Sequence, residues 1–317
     1  MADDAAEILV ATTPQQVLDG LQAELGTDGF QDRLDEDHWV SFVARGPNLL
    51  VTFEPFADCI GGSETGLPLA LDFADEKNWS VLHFAAARET WFRARAIYDF
   101  LDEMVDDAFF ENFDQVMFYG AGMSGYAAAA FSVVAPGASV LAIRPQATLD
   151  TDRAGWDHRY RQARRLRFDD RYGYAPDMLE GAQSALILYD PTEHLDAVHA
   201  SLFQGPNVTR LKCPHLKDRI ELSLREMDLL HRLIESVANR SFRVPEFHRL
   251  MRARRGHSRY LHNLLFDLDR QNNPFRTALL CRHVLSRTDS AEFRRRLQSS
   301  KEELAAQGRL PEWLQDP

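Results

Sequence analysis

Residues 113–131, Phe-Asp-Gln-Val-Met-Phe-Tyr-Gly-Ala-Gly-Met-Ser-Gly-Tyr-Ala-Ala-Ala-Ala-Phe, constrain the fold more than any other stretch of the chain. A short apolar run passes through closely spaced glycines into a run of alanines. This spells a buried strand, a tight turn and a helix of small residues. Glycine supplies the positive φ that such a turn demands. Small residues on both flanks let the helix lie close against the strand it has just left, as a parallel sheet with packed helices requires.

The same pattern, small–x–nucleophile–x–small, describes a nucleophile elbow, the strained turn that presents a reactive side chain. With Gly120 and Ser124 as the small flanks, Gly122 stands in the reactive slot and has no side chain to offer. A second register centres Ser124 in Gly122-Met-Ser-Gly-Tyr126, but it puts a tyrosine ring where glycine or alanine is needed. The first register is preferred. It places Ser124 in the first helical turn, where a serine can bond backbone N–H groups.

Further strands are expected at 38–44, 49–54, 79–85, 115–119, 139–143, 184–189 and 207–213, with helices at 91–105 and 124–134. Several of these strands are continuous apolar runs, which suits strands covered on both faces. Strands alternating with helices imply right-handed crossovers and a mainly parallel α/β sheet. Residues 1–37 read as an acidic amphipathic helical lead-in, with Val17, Leu18, Leu21 and Leu25 at helical spacing. Residues 38–219 form the expected core, and 220–317 an all-helical C-terminal region. Pro274 there fits the first turn of a helix after the turn Asp269-Arg-Gln-Asn-Asn.

The stretch 147–183 interrupts the core like a cap. It interleaves Trp156, Tyr160, Tyr172 and Tyr174 with Arg159, Arg161, Arg164, Arg165, Arg167 and Arg171. Arginine and aromatic groups together can hold a phosphate, carboxylate or nucleotide. They can equally pair with acidic groups of the chain itself. Acidic groups are plentiful: residues 1–115 carry 6 Lys/Arg against 24 Asp/Glu, whereas residues 240–301 carry 15 against 5.

If the turn belongs to a working hydrolase, the acid follows a late strand and the histidine follows the last one. Asp190 and His215 occupy those places, which makes Ser124, Asp190 and His215 the candidate catalytic set. Asp190 also reads as an Asp-Pro turn residue and His215 as a plain loop histidine. The Met123 N–H and a donor from a loop at Glu54–Ala57 would form an oxyanion hole. Those donors need no serine, so a small anion can sit by Gly122 and Met123. His194 and His199 are five apart, a poor match to helical metal ligands, and no metal or other cofactor is expected. Cys59, Cys213 and Cys281 are few and widely spaced, and read as reduced packing thiols. The acidic start Met1–Glu7 lacks a signal-peptide pattern, and no run reaches the roughly 18 apolar residues that span a bilayer. A cytoplasmic protein is expected, with no membrane or nucleic-acid partner.

The run Phe118-Tyr-Gly-Ala-Gly-Met-Ser-Gly-Tyr-Ala-Ala resembles the Tyr-Gly-Ser-Ser-Met-Gly-Gly-Tyr-Ala-Ala signature of a bacterial α/β-hydrolase-like group. In that comparison the family serine falls on Gly122. The likeness continues weakly through Arg144-Pro-Gln and Tyr189-Asp-Pro, and the group's usual Gly-His pair is replaced by Lys217 and Asp218. The resemblance implies a hydrolase fold with a degenerate elbow, binding a small anionic or acyl ligand or a protein partner. An active serine esterase or acyl-transfer enzyme is the alternative. The chain is also similar to bacterial proteins labelled phosphoadenosine phosphosulfate reductase, which implies a nucleotide-linked role. It has neither the Ser-Gly-Gly-rich phosphate loop nor the Glu-Cys-Gly motif of such reductases, since Cys281 lies in Leu-Leu-Cys-Arg.

Overall fold

The seven expected strands and one more assemble into one eight-stranded sheet in the computed structural model, which describes residues 10–315. The strands are β1 (Phe30–Arg33), β2 (His38–Val43), β3 (Asn48–Pro55), β4 (Ser80–Ala86), β5 (Gln115–Ala121), β6 (Ser139–Ile143), β7 (Ser184–Tyr189) and β8 (Val208–Lys212). Across the sheet they lie in the order β1-β2-β4-β3-β5-β6-β7-β8. β2 runs antiparallel to both its neighbours, and every pair from β4 to β8 is parallel. This is the α/β-hydrolase type of sheet. The central strands are buried on both faces, which is why they read as continuous apolar runs rather than alternating ones.

The first 37 residues, expected as a helical lead-in, hold a helix and a strand. Helix α1 (Pro14–Ala23) is there, opened by a capping box of Thr13 and Gln16. Phe30–Arg33, however, is the edge strand β1, paired in register with Trp39–Phe42. Its four residues, Phe-Gln-Asp-Arg, are too short and too polar to announce a strand. The segment Met1–Glu7 lies outside the described residues.

The helices of the sheet unit follow as α2 (Phe56–Gly62), α3 (Ala70–Lys77), α4 (Arg95–Asp106) and α5 (Met123–Phe131). After them come α6 (Thr151–Ala154), α7 (His194–Leu202), α8 (Ile220–Glu226) and α9 (Leu230–Ala238). α5 is the central one, and every residue from Ser124 to Phe131 is buried. Its alanine run lets it lie close on β3, β5 and β6, while the 3-10 turn Ala175–Leu179 covers its other side. α9 packs on β5 and β6, so the helices directly after residue 220 go with the sheet.

Contacts divide the chain into two units, residues 1–213 with 220–243 and residues 214–219 with 244–317. The second unit is helical: α10 (Val244–Leu250), α11 (Ser258–Arg270), α12 (Pro274–Leu285) and α13 (Ala291–Ala306). Pro274 opens α12, and the Asn273 side chain caps it by accepting from Arg276 N–H. Leu261, Leu265, Leu268, Cys281, Val284 and Phe293 form its core. Among the described residues no helix is long and apolar enough to cross a membrane.

Candidate functional site

Gly122 sits at the apex between β5 and α5 with φ 59° and ψ −123°, a conformation costly for any residue with a Cβ. Its N–H donates to the Ile143 carbonyl at 2.8 Å and its carbonyl accepts from Tyr126 N–H at 3.0 Å. A Cβ built on Gly122 would meet nothing within 4 Å, so the slot where a side chain would project is open. Gly120 is the opposite case. A Cβ there would lie 2.2 Å from the Ser124 carbonyl oxygen, which is how tightly the first turn of α5 folds onto its own strand. Ser124 is 4% exposed and lies within α5, so the apex is Gly122. Met123 starts the helix, where its N–H has no intrahelical acceptor. The Met123 sulfur accepts from Trp91 N–H at 3.0 Å.

The other catalytic candidates are engaged locally. Asp190 is buried after β7, and its Oδ1 accepts from the N–H of Thr192 at 2.8 Å and from its hydroxyl at 2.7 Å, as a turn aspartate does. Among the described residues no hydrogen bond joins Ser124 to Asp190. His215, in the second unit, has φ 64° and pairs through Nδ1 with Asp267 Oδ2 at 2.6 Å. Lys217 donates to the other Asp267 oxygen at 2.9 Å, and Asn263 of α11 donates to the His215 carbonyl at 2.9 Å. Burial would raise the Asp267 carboxyl, but the bonds from Lys217 and His215 outweigh it and hold it below the usual range. Asp267, 52 residues beyond His215 in the chain, gave no sequence signal. The expected donor loop at Glu54–Ala57 does not exist as a loop, because β3 runs to Pro55 and α2 begins at Phe56.

The arginines of 147–183 are largely committed to the protein's own acceptors. Arg164 donates to the carbonyls of Ala154 and Gly155, whereas Arg161 and Arg165 are exposed. Arg159 binds Asp157 through two nitrogens and Asp196 through a third at 2.6 Å. Arg144 holds the second Asp196 oxygen at 3.0 Å. His199 Nδ1 accepts from Ala147 N–H at 3.1 Å, so its Nε2 carries the hydrogen donated to Asp157 at 3.0 Å. Burial alone would raise the Asp157 carboxyl, but the bonds from His199 and Arg159 hold it well below its ordinary value. Arg171 pairs with Asp102, one of the acidic groups of the N-terminal half.

Beside the elbow lies a cavity of about 20 Å³ lined by Glu54, Asp58, Tyr119, Ser124 and Glu221. It has room for about one water. The Tyr119 hydroxyl donates to Glu221, and Cys59 donates to Glu54 Oε2 at 3.3 Å. Burial, aided by the Glu221 charge, pushes the Glu54 carboxyl up to about 8. Burial lowers His83, two strand residues away on β4, to about 3. Both shifts couple to stability, with opposite signs. Glu54 binds its proton more tightly in the folded chain than at its ordinary 4.5, so stability falls as pH rises from about 4.5 to about 8. His83 binds its proton less tightly than at its ordinary 6.5, so stability falls as pH drops from about 6.5 to about 3. Between 4.5 and 6.5 the two slopes oppose each other. A level region flanked by two declines is therefore expected. Part of Glu54 still reaches solvent, so its slope is at most about 1.4 kcal/mol per pH unit. Glu54→Gln, which keeps an acceptor for Cys59, should remove the alkaline decline. Urea unfolding with a chelator present, from about pH 6 to 8.5, measures it, and identical slopes for variant and wild type would contradict the assignment.

No protein-family model and no curated protein matches this chain. Solved structures are similar at low scores. Est1E from Butyrivibrio proteoclasticus matches 67% of this chain and 100% of its own, with a TM-score of 0.42 and 12% identity. The Pyrobaculum calidifontis esterase matches 71% of this chain and 89% of its own, at 0.40 and 15%. A chain of the glycosylation-associated Gap123 complex from Streptococcus agalactiae matches 67% of this one at 0.44 and 11%, and this chain spans 46% of that protein. At such scores the fold class stands on the chain's own strand order and register.

Proposed function

We propose that this α/β-hydrolase-type protein is a degenerate member that binds a ligand or a protein partner without ester turnover. The observation that carries this reading is Gly122 at the elbow apex, with φ 59° and open space where a nucleophile would project. Burial of Ser124 in α5 supports it, as does the engagement of Asp190 by Thr192. The water-sized cavity beside the elbow has no room for an acyl chain. Its carboxyl lining favours a group bearing hydrogen-bond donors or positive charge there, rather than the small anion that the helix N-terminus suggests. The buried cysteines, with no disulfide between them, are consistent with a reducing cytoplasm.

The alternative, a serine esterase or acyl-transfer enzyme, has one observation in its favour: the short His215–Asp267 pair after the last strand. A fluorophosphonate probe separates the two. No labelling of the wild-type chain is expected at concentrations that saturate a control serine hydrolase. Labelling that vanishes in Ser124→Ala would establish the esterase and overturn the proposal.

A further inference from the structure

Among the described residues, one cluster of metal-ligating side chains includes none of Ser124, Asp190 and His215. A Glu54 carboxylate oxygen, the Cys59 sulfur and a His83 ring nitrogen all lie within 4.8 Å of one another. Their meeting follows from strand register. Thr52 of β3 faces His83 of β4, and Glu54 is two residues further along the same face of β3. α2 begins directly after β3 and brings Cys59 back over that face. His83 is wholly buried; its Nδ1 is bound to Thr52 Oγ1 at 2.9 Å, while its Nε2 has no hydrogen-bond partner. An enclosed ring nitrogen left unsatisfied is rare and calls for an explanation.

We propose that Glu54, Cys59 and His83 bind a divalent transition-metal ion of the zinc class. The ligands are His83 Nε2, Cys59 Sγ and one Glu54 oxygen. Thiolate, imidazole and carboxylate together suit zinc or cobalt, whereas magnesium and calcium take oxygen donors. An ion of charge +2 is balanced by one thiolate and one carboxylate, so the buried site would be neutral. Thr52 serves as the outer partner, fixing Nδ1 so that Nε2 is the nitrogen left for the ion. Three protein ligands leave a fourth position for a water. Asp58 and Glu221 add negative charge around Glu54, partly offset by Arg225. The proposal does not depend on whether Gly122 is catalytically silent.

The test uses the full chain without a histidine tag, stripped with a chelator and titrated with Co²⁺ under reducing conditions. Uptake of one cobalt per chain is expected, with a thiolate-to-cobalt charge-transfer band that Zn²⁺ displaces and Mg²⁺ does not. Cys59→Ser should abolish the band, and Thr52→Val should weaken cobalt binding about 10- to 100-fold. Cys281→Ser, a buried cysteine of the helical unit, should change neither. Circular dichroism checks that each variant is folded; if Cys59→Ser is not, the fold-change in Thr52→Val decides. The proposal is overturned if the folded wild-type chain shows no band, if the band survives in Cys59→Ser, or if Thr52→Val binds cobalt as tightly as wild type.

Discussion

Replacing Gly120 by alanine is expected to destabilise the protein by more than about 3 kcal/mol, the range of severe overpacking and backbone strain. The added Cβ would lie 2.2 and 2.4 Å from the Ser124 carbonyl oxygen and carbon, and 2.8 Å from the Gly125 nitrogen. All three are backbone atoms, so no side-chain rotation relieves the clash. The first turn of α5 would have to lift from β5, and with it a helix buried from Ser124 to Phe131. Gly122→Ala makes the matched comparison. Nothing lies within 4 Å of its Cβ, so only the backbone conformation opposes it, at about 1–3 kcal/mol. Urea unfolding of the two variants should separate them clearly. Equal losses would mean that the turn is not held as described.

The second large effect is at Asp157, whose replacement by alanine should cost about 3–5 kcal/mol at neutral pH. Asp157 is fully buried and takes hydrogen bonds from His199 and from Arg159. Its removal leaves the enclosed His199 Nε2–H with no acceptor and Arg159 with Asp196 alone. The pH dependence has a definite sign. Because the folded carboxyl is held below its ordinary 3.8, its contribution is present above that value and fades as pH falls through the folded one. Thermal unfolding should therefore show the wild-type advantage over Asp157→Ala shrinking only in strong acid. Asp169→Ala is the control: its pairing with Arg167 is exposed on both sides (77% and 68%) and should shift stability by less than about 0.5 kcal/mol.

Seven of the eight strands were legible because most are apolar runs bounded by turn residues, and period and length survive in the sequence whatever the strand packs against. β1 was not, since an edge strand of four residues has no period to read. Gly122 could be placed at the apex because only one register of Gly-Ala-Gly-Met-Ser-Gly keeps the tyrosine ring away from the crowded flank. Asp267 was hidden because nothing local marks a helical aspartate that folds back on a loop histidine. Glu54, Cys59 and His83 were hidden for a similar reason. Their spacing in the chain matches no ligand motif, and it takes both the pairing of β3 with β4 and the entry into α2 to bring them together.

The enclosure of α5 on two sides bears on how anything reaches Gly122. The turn Ala175–Leu179 and the neighbouring Tyr172, whose carbonyl accepts from the Tyr126 hydroxyl at 2.7 Å, are the outer wall of that helix. Swinging this stretch away like a hinged door would strip water-shy alanine surface bare, at roughly 25 cal/mol for each Å² uncovered. It is masonry rather than shutter. Amide protons of residues 127–131 should accordingly trade with deuterium only when the whole sheet unit comes apart, and a visitor to the glycine apex has to arrive by another path.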